Sequence, residues 1–195
     1  MSGRKIAVVL FNLGGPDRPE SIYPFLRNFF MDPNILRVPY PVRWFLSRRI
    51  AARRSRNEAA KNYALLGGSS PLLANSRAQA DGLEQILKDR NTDADFKTFV
   101  CMRYWHPMAS EVAQEVRAFN PDRIVLLPLY PQFSTTTTRS SFQSWNVAAK
   151  KAGITDVPVS GVCCYPVSEG FVQASAERIL SVYEKALKDA KDYPA

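Results

Sequence analysis

The sequence predicts an α/β fold with a doubly wound, mainly parallel sheet, and two observations carry that expectation. Four short apolar or β-branched runs, at 5–11 (KIAVVLF), 96–102 (FKTFVCM), 123–129 (RIVLLPL) and 157–162 (VPVSGV), read as strands covered on both faces. Segments whose apolar residues recur at helical spacing lie between and after them. Strands and helices that alternate in this way favour parallel order, with ligands bound beyond the carboxyl ends of the strands. The loops after strands are therefore where chemistry is expected.

The elements follow in order. The first strand runs into the turn NLGGP at 12–16. An aromatic amphipathic piece at 22–30 (IYPFLRNFF) comes next, then Trp44, Phe45 and Leu46 with the arginines Arg48, Arg49, Arg53, Arg54 and Arg56. The whole interval 16–90 is irregular for a single crossover. Past the GGSSP turn at 67–71, Ser76, Ala80, Leu83 and Leu87 mark one helical face, and Val112, Val116 and Phe119 mark another. The stretch 140–152 is a weaker helix. Val172, Ala176, Ile179, Tyr183 and Leu187 form the last one, after a Ser168 cap. Because the alternation calls for a strand after that helix, the chain reads as part of a larger fold.

Composition narrows the class. In 195 residues, 46% hydrophobic and 23% charged with 9 Gly and 14 Pro, there is no signature of a disordered tail, a collagen-like repeat or a low-complexity linker. Twenty-six Lys and Arg against 18 Asp and Glu give +8, which points to anionic partners without separating nucleic acid, acidic lipid and small carboxylates. Cys101, Cys163 and Cys164 cannot build a disulfide framework, since two are adjacent, so a reducing compartment is expected and the adjacent pair reads as packing residues. No run approaches the roughly 20 apolar residues of a membrane span, so any membrane relationship is peripheral.

Three strand-end loops hold candidate chemistry, each with a plainer reading beside it. NLGGP fits neither phosphate-binding glycine motif and reads equally as a tight βα turn. Arg103, Tyr104, Trp105, His106 and Pro107 close the second strand, placing a guanidinium and ring faces at the binding edge, while His106 alone is a poor metal site or simply precedes a helix. In YPQFSTTTTRSS at 130–141 the hydroxyls and Arg139 suit a phosphate or carboxylate, or cap the next helix. The aromatic piece at 22–30 usually reads as a core stripe; with the arginine cluster it also describes a greasy rim with cationic edges, suited to a flat amphiphilic acid and to stacked bases with phosphate.

Five of these words, NLGGP, FLRNFFMD (25–32), GGSSP, RYWHP (103–107) and YPQFSTTTTRSS, occur in the order and approximate spacing of ferrochelatase, and the chain resembles the N-terminal lobe of that family. The resemblance implies a chelatase-like fold of two Rossmann-type lobes, with 1–167 as one lobe and 168–195 as the helix toward a second. It implies insertion of ferrous iron into protoporphyrin IX, held between the lobes. Carried over by position, the porphyrin-binding residues are Leu13, Phe25, Leu26, Phe29, Arg54, Tyr63, Ser70, Arg103, Tyr104, Tyr130, Ser134, Thr136 and Thr137. The propionate-binding arginine is Arg53, Arg54 or Arg56, with Arg54 preferred. Phe25, Leu26 and Phe29 resemble a lip that faces an anionic membrane surface, which implies a cytoplasmic protein peripheral at the inner face of the membrane. The family's catalytic histidine and glutamate belong to segments that would follow Ala195, and His106 is not that histidine, so little metal insertion is expected of this chain alone. Thr135 stands where animal members carry a cluster-ligating cysteine; no iron–sulfur cluster and no other bound cofactor is expected, and Fe²⁺ enters only as substrate. Nucleic acid is not the expected partner, and the exposed half-cleft is expected to self-associate. The rival readings are a noncatalytic tetrapyrrole-binding or membrane-surface module, and a phosphate-ligand or nucleic-acid domain.

Overall fold

The computed structural model describes residues 3–91 and 93–191, and the chain divides into two compact units between Cys163 and Cys164. The first unit contains β1 (Arg4–Asn12), α1 (Ile22–Phe30), α2 (Tyr40–Arg56), α3 (Glu58–Leu65), α4 (Leu72–Arg90), β2 (Ala94–Met102), α5 (Ala109–Phe119), β3 (Arg123–Pro128), α6 (Ser140–Ala152) and β4 (Val159–Gly161). The second contains α7 (Glu169–Lys191), where Val172, Ala176, Ile179, Tyr183 and Leu187 recur at helical spacing. Among the described residues no helix is long and apolar enough to cross a membrane.

All strand pairs are parallel, in the order β2-β1-β3-β4. This is the α/β class expected. β1 is central, and its unbroken apolar run is buried from Ala7 to Phe11. Alternate side chains serve two cores: Ala7, Val9 and Phe11 join Val112 and Val116 of α5 and Trp145 of α6, while Val8 and Leu10 join Ala80 and Leu83 of α4. Each large apolar side chain so buried contributes about 1.5–3 kcal/mol.

The two faces differ in cover. On the α4 side the helix lies over β2 and β1, and Val125, Leu127 and Leu129 toward β3 stay half-buried. β4 is exposed along its whole length, so the strand expected at 157–162 shrinks to three residues and is not covered on both faces. Exposure also corrects the reading of Cys163 and Cys164 as packing residues. Both are exposed where the chain leaves β4, and only Cys101 packs in a core, where burial pushes its thiol up to about 12.

β2 forms the opposite border of the sheet, and two of its amides, those of Thr98 and Met102, are occupied from outside the sheet. Glu84 of α4 accepts from the Thr98 amide at 2.7 Å and the Thr98 hydroxyl at 2.8 Å, while Lys88 holds its other oxygen at 2.6 Å. The Met102 amide donates to the Pro107 carbonyl at 2.7 Å. A charged side chain and a loop thus blunt an edge that would otherwise template strand pairing.

Candidate functional site

Parallel order puts the carboxyl ends of the strands on one border: Asn12 is in register with Met102, and Phe11 with Pro128. Backbone bonds carry that register into the loops. Arg103 N donates to Asn12 O at 2.9 Å, Tyr104 N to Leu13 O at 3.0 Å, and Leu129 N to Phe11 O at 2.8 Å. The loops after β1, β2 and β3 therefore start side by side, as the sequence reading requires.

The β1 loop owes its shape to its glycines. Gly14 sits at φ +84°, where a Cβ would also come within 3.0 Å of the Trp105 amide nitrogen. At Gly15 a Cβ would collide with the Oγ and Cβ of Ser70. Ser70 N donates to Pro16 O at 2.8 Å, so the GGSSP turn is seated on the NLGGP loop. Asn12 clips the same loop to α4, its amide donating to Ser76 Oγ at 3.0 Å while its carbonyl oxygen accepts from Leu13 N at 2.8 Å. Tyr63 Oη lies 4.0 Å from the position of a Gly15 Cβ, and burial pushes its phenol pKa upward. Tyr63, Ser70 and the β1 loop thus form one cluster, with Leu13 half-buried beside it.

The β3 loop turns its hydroxyls largely inward. Ser134 caps a π-type turn, Thr135–Arg139, accepting from Thr136 N at 3.2 Å and pairing with Thr136 Oγ1 at 2.9 Å. Thr137 Oγ1 and Thr138 Oγ1 are buried without hydrogen-bond partners. Burial drives the Tyr130 phenol well above its ordinary range, against a smaller pull from the Ser141 hydroxyl. Capping, the plainer of the two readings of this segment, describes Ser134.

One residue that the motif reading left unassigned organises this border. Asp32, directly beyond α1, is 2% exposed. Its carboxylate accepts from Arg103 Nη2 at 2.9 Å, Tyr104 Oη at 2.7 Å, Asn34 N at 2.7 Å and Ser140 Oγ, and Arg103 Nε also donates to Ser140 Oγ at 2.6 Å. Burial alone would raise the Asp32 pKa, but the bonds from Ser140, Tyr104 and the Asn34 backbone, with the Arg103 charge, outweigh it and hold the carboxyl below 3.8. Tyr104 has no exposed surface, and burial with the bond to Asp32 raises its phenol pKa. The guanidinium expected to project from the border is accordingly tied down. The signal for Asp32 was present in composition: it is the only acidic residue between Glu20 and Glu58, in a stretch with eight arginines.

The rim forms from α1, α2 and α3. Phe25 is 5% exposed and serves the interior, whereas Leu26 and Phe29 are half-buried. Leu26, Arg54 and Tyr63 line one depression of about 370 Å³, together with Glu58 and Leu66. Phe30, Arg53 and Arg54 line an adjoining one of about 440 Å³. Arg54 stacks over the Phe30 ring at 5.4 Å, and Arg56 is exposed outside both depressions. Tyr130, Ser134, Thr136 and Thr137 do not line either depression, and the β3 loop meets this group through Tyr104, whose Oη lies 3.4 Å from Thr136 O. His106 is exposed and pairs with Glu111 at 2.8 Å, and among the described residues no group of three or more His, Cys, Asp or Glu side chains gathers as metal ligands.

With this geometry in hand, comparison with known proteins is direct: the ferrochelatase family model matches residues 5–193. The chain belongs to the ferrochelatase family. A ferrochelatase of Phenylobacterium zucineum is 50% identical over 184 residues, covering 94% of this chain and 52% of that protein. Ferrochelatases of Hyphomonas neptunium and Caulobacter vibrioides are each 47% identical, covering 94% of this chain and 50% and 51% of their own lengths. This ferrochelatase-family chain therefore spans about half the length of these relatives.

Proposed function

We propose that this chain supplies one wall of a porphyrin cleft, as the N-terminal lobe of an enzyme that exchanges two pyrrole protons of protoporphyrin IX for Fe²⁺. The observation that carries the reading is the shared depression of Leu26, Arg54 and Tyr63 beside the NLGGP loop, which pairs an apolar surface with a guanidinium. A flat apolar ring with two carboxylates needs that pairing: Leu13, Leu26 and Phe29 cover ring area, while Arg54, with Arg53 next to it, addresses a propionate. Arg103 is neutralised by Asp32 and holds the wall together. Removal of the pyrrole protons is assigned to the half of the relatives' length that this chain does not span. The chain is therefore expected to bind porphyrin with little turnover.

Fluorescence titration of protoporphyrin IX and its dimethyl ester tests this. Arg54→Ala weakens binding of the free acid about fivefold, the scale of an exposed charge pair, and leaves the ester unchanged. Equal loss for both ligands, or no saturable quenching by the unaltered chain, would sink the reading. Steady Zn²⁺ insertion by the chain alone at enzymatic rates would overturn the division of labour.

A second observation supports a peripheral position on an anionic membrane, at the cytoplasmic side, through α2. Tyr40, Val42, Trp44 and Phe45 are exposed near its start, Arg48 stacks on Trp44 at 3.7 Å, and α2 contains six arginines and no acid. Exposed aromatics with arginines suit the headgroup boundary. In sedimentation with vesicles containing phosphatidylglycerol, Trp44→Ala/Phe45→Ala is expected to lower bound protein about tenfold. Equal binding to purely zwitterionic vesicles would count against it.

A further inference from the structure

We infer that Asp32 is a positioning residue for Arg54, acting through a relay of three aromatic rings. The relay is contiguous. Asp32 Oδ2 accepts from Tyr104 Oη at 2.7 Å; the Tyr104 ring meets Phe29 edge-on at 5.1 Å; Phe29 meets Phe30 at 5.2 Å and 89°; and the Arg54 guanidinium lies over Phe30 at 5.4 Å. The relay is anchored at Tyr104 and Phe30. Tyr104 has no exposed surface, Phe30 is 7% exposed, and Asn28 Nδ2 donates to Tyr104 O at 3.2 Å, fastening α1 to the β2 loop.

The physical content is that Arg54 has no ion-pair partner to fix it among the described salt bridges, while its long side chain has many rotamers. Its preferred position is set by the face of Phe30, through cation–π attraction. Edge-to-face contacts make the orientation of Phe30 depend on Phe29, and that of Phe29 on Tyr104. Tyr104 in turn points its hydroxyl at one carboxylate oxygen. Asp32 thus spends Arg103 as a tether and orients a different arginine for the ligand. This assignment rests on the proposed binding of a porphyrin carboxylate at Arg54.

The test uses the full chain and the ratio of affinities for protoporphyrin IX and its dimethyl ester, so that changes in apolar contact cancel. Tyr104→Phe keeps the ring and removes the hydroxyl, which donates to Asp32 at 2.7 Å and more weakly to Thr136 O at 3.4 Å, and Phe29→Leu breaks the middle of the relay. Both are expected to lower the acid-to-ester preference at least about twofold, toward the Arg54→Ala value, and Tyr104→Phe/Arg54→Ala should match Arg54→Ala alone, because coupled sites are non-additive. Val116→Ala, a core variant on the α5 side of the sheet, should lower thermal stability and leave the preference unchanged. Wild-type preference in both relay variants, or additive losses in the double variant, would overturn the relay. If the unaltered chain shows no preference for the acid, the propionate reading fails. The relay is then judged by the Arg54 Nε–Hε resonance, which should shift in Tyr104→Phe and Phe29→Leu as the Phe30 ring turns; an unmoved resonance rejects it.

Discussion

Asp32→Asn is expected to lower the unfolding free energy by about 3 kcal/mol, the low end of what breaking a buried ion pair costs. The amide keeps one acceptor but presents an N–H₂ to a pocket already crowded with donors from Arg103, Tyr104 and Ser140, and it leaves the Arg103 charge without its counter-ion. For a chain of this size that corresponds to a fall of about 6–12 °C in melting temperature. The pH dependence has a definite sign. The folded Asp32 carboxyl titrates below its unfolded value near 3.8, so the native state binds the proton less readily than the unfolded one. Its stabilisation is fully present above about pH 5 and disappears as the pH falls through the unfolded and then the folded pKa. Urea midpoints of the parent and Asp32→Asn proteins should converge as the pH is lowered through this window. A constant gap across the acid range would show that Asp32 contributes packing alone.

Gly15→Ala is expected to cost about 1–3 kcal/mol, the scale of overpacking in a filled site. The new methyl would overlap the Ser70 side chain, including its Cβ at 2.5 Å, and a Cβ cannot swing aside as the end of a long side chain can. The GGSSP turn would have to lift, breaking the 2.8 Å bond from Ser70 N to Pro16 O and separating Tyr63 from the β1 loop. Adding Ser70→Gly vacates the space and should recover most of the loss. Chemical denaturation of the three proteins decides the matter. An additive double variant would mean that the Gly15 effect arises elsewhere.

How much of this could be read in the chain depends on the range of the interaction. β1 and β3 were visible because runs such as KIAVVLF are apolar on both alternating faces, and α4 and α5 because their apolar residues keep a helical period. β4 was overextended: of VPVSGV only Val159–Gly161 is strand, exposed along its length, while Val157 packs against the core. The burial of Ile22, Phe25 and Phe30 agrees with the core-stripe reading of 22–30, while the period alone did not say which of its residues stay at the surface. Asp32 lay within a quoted motif and was still passed over. Besides nearby Asn34, its side-chain partners Arg103, Tyr104 and Ser140 are 71, 72 and 108 residues away, and no local pattern encodes a carboxylate that waits for donors from two distant segments.

While α2 and α3 stayed hidden in the irregular interval 16–90, periodicity and motif spacing sufficed for the α/β class, the alternation from α4 to α6 and the family. These are local properties, written in alternation, in glycines and in word order along the chain. That Arg103 is consumed by an internal carboxylate while Arg54 lies over Phe30 was decided only by the tertiary structure, in which the parallel register of β1, β2 and β3 sets the β2 loop beside its neighbours. A buried carboxylate must gather its donors from wherever the fold delivers them, and that delivery is a property of packing in three dimensions.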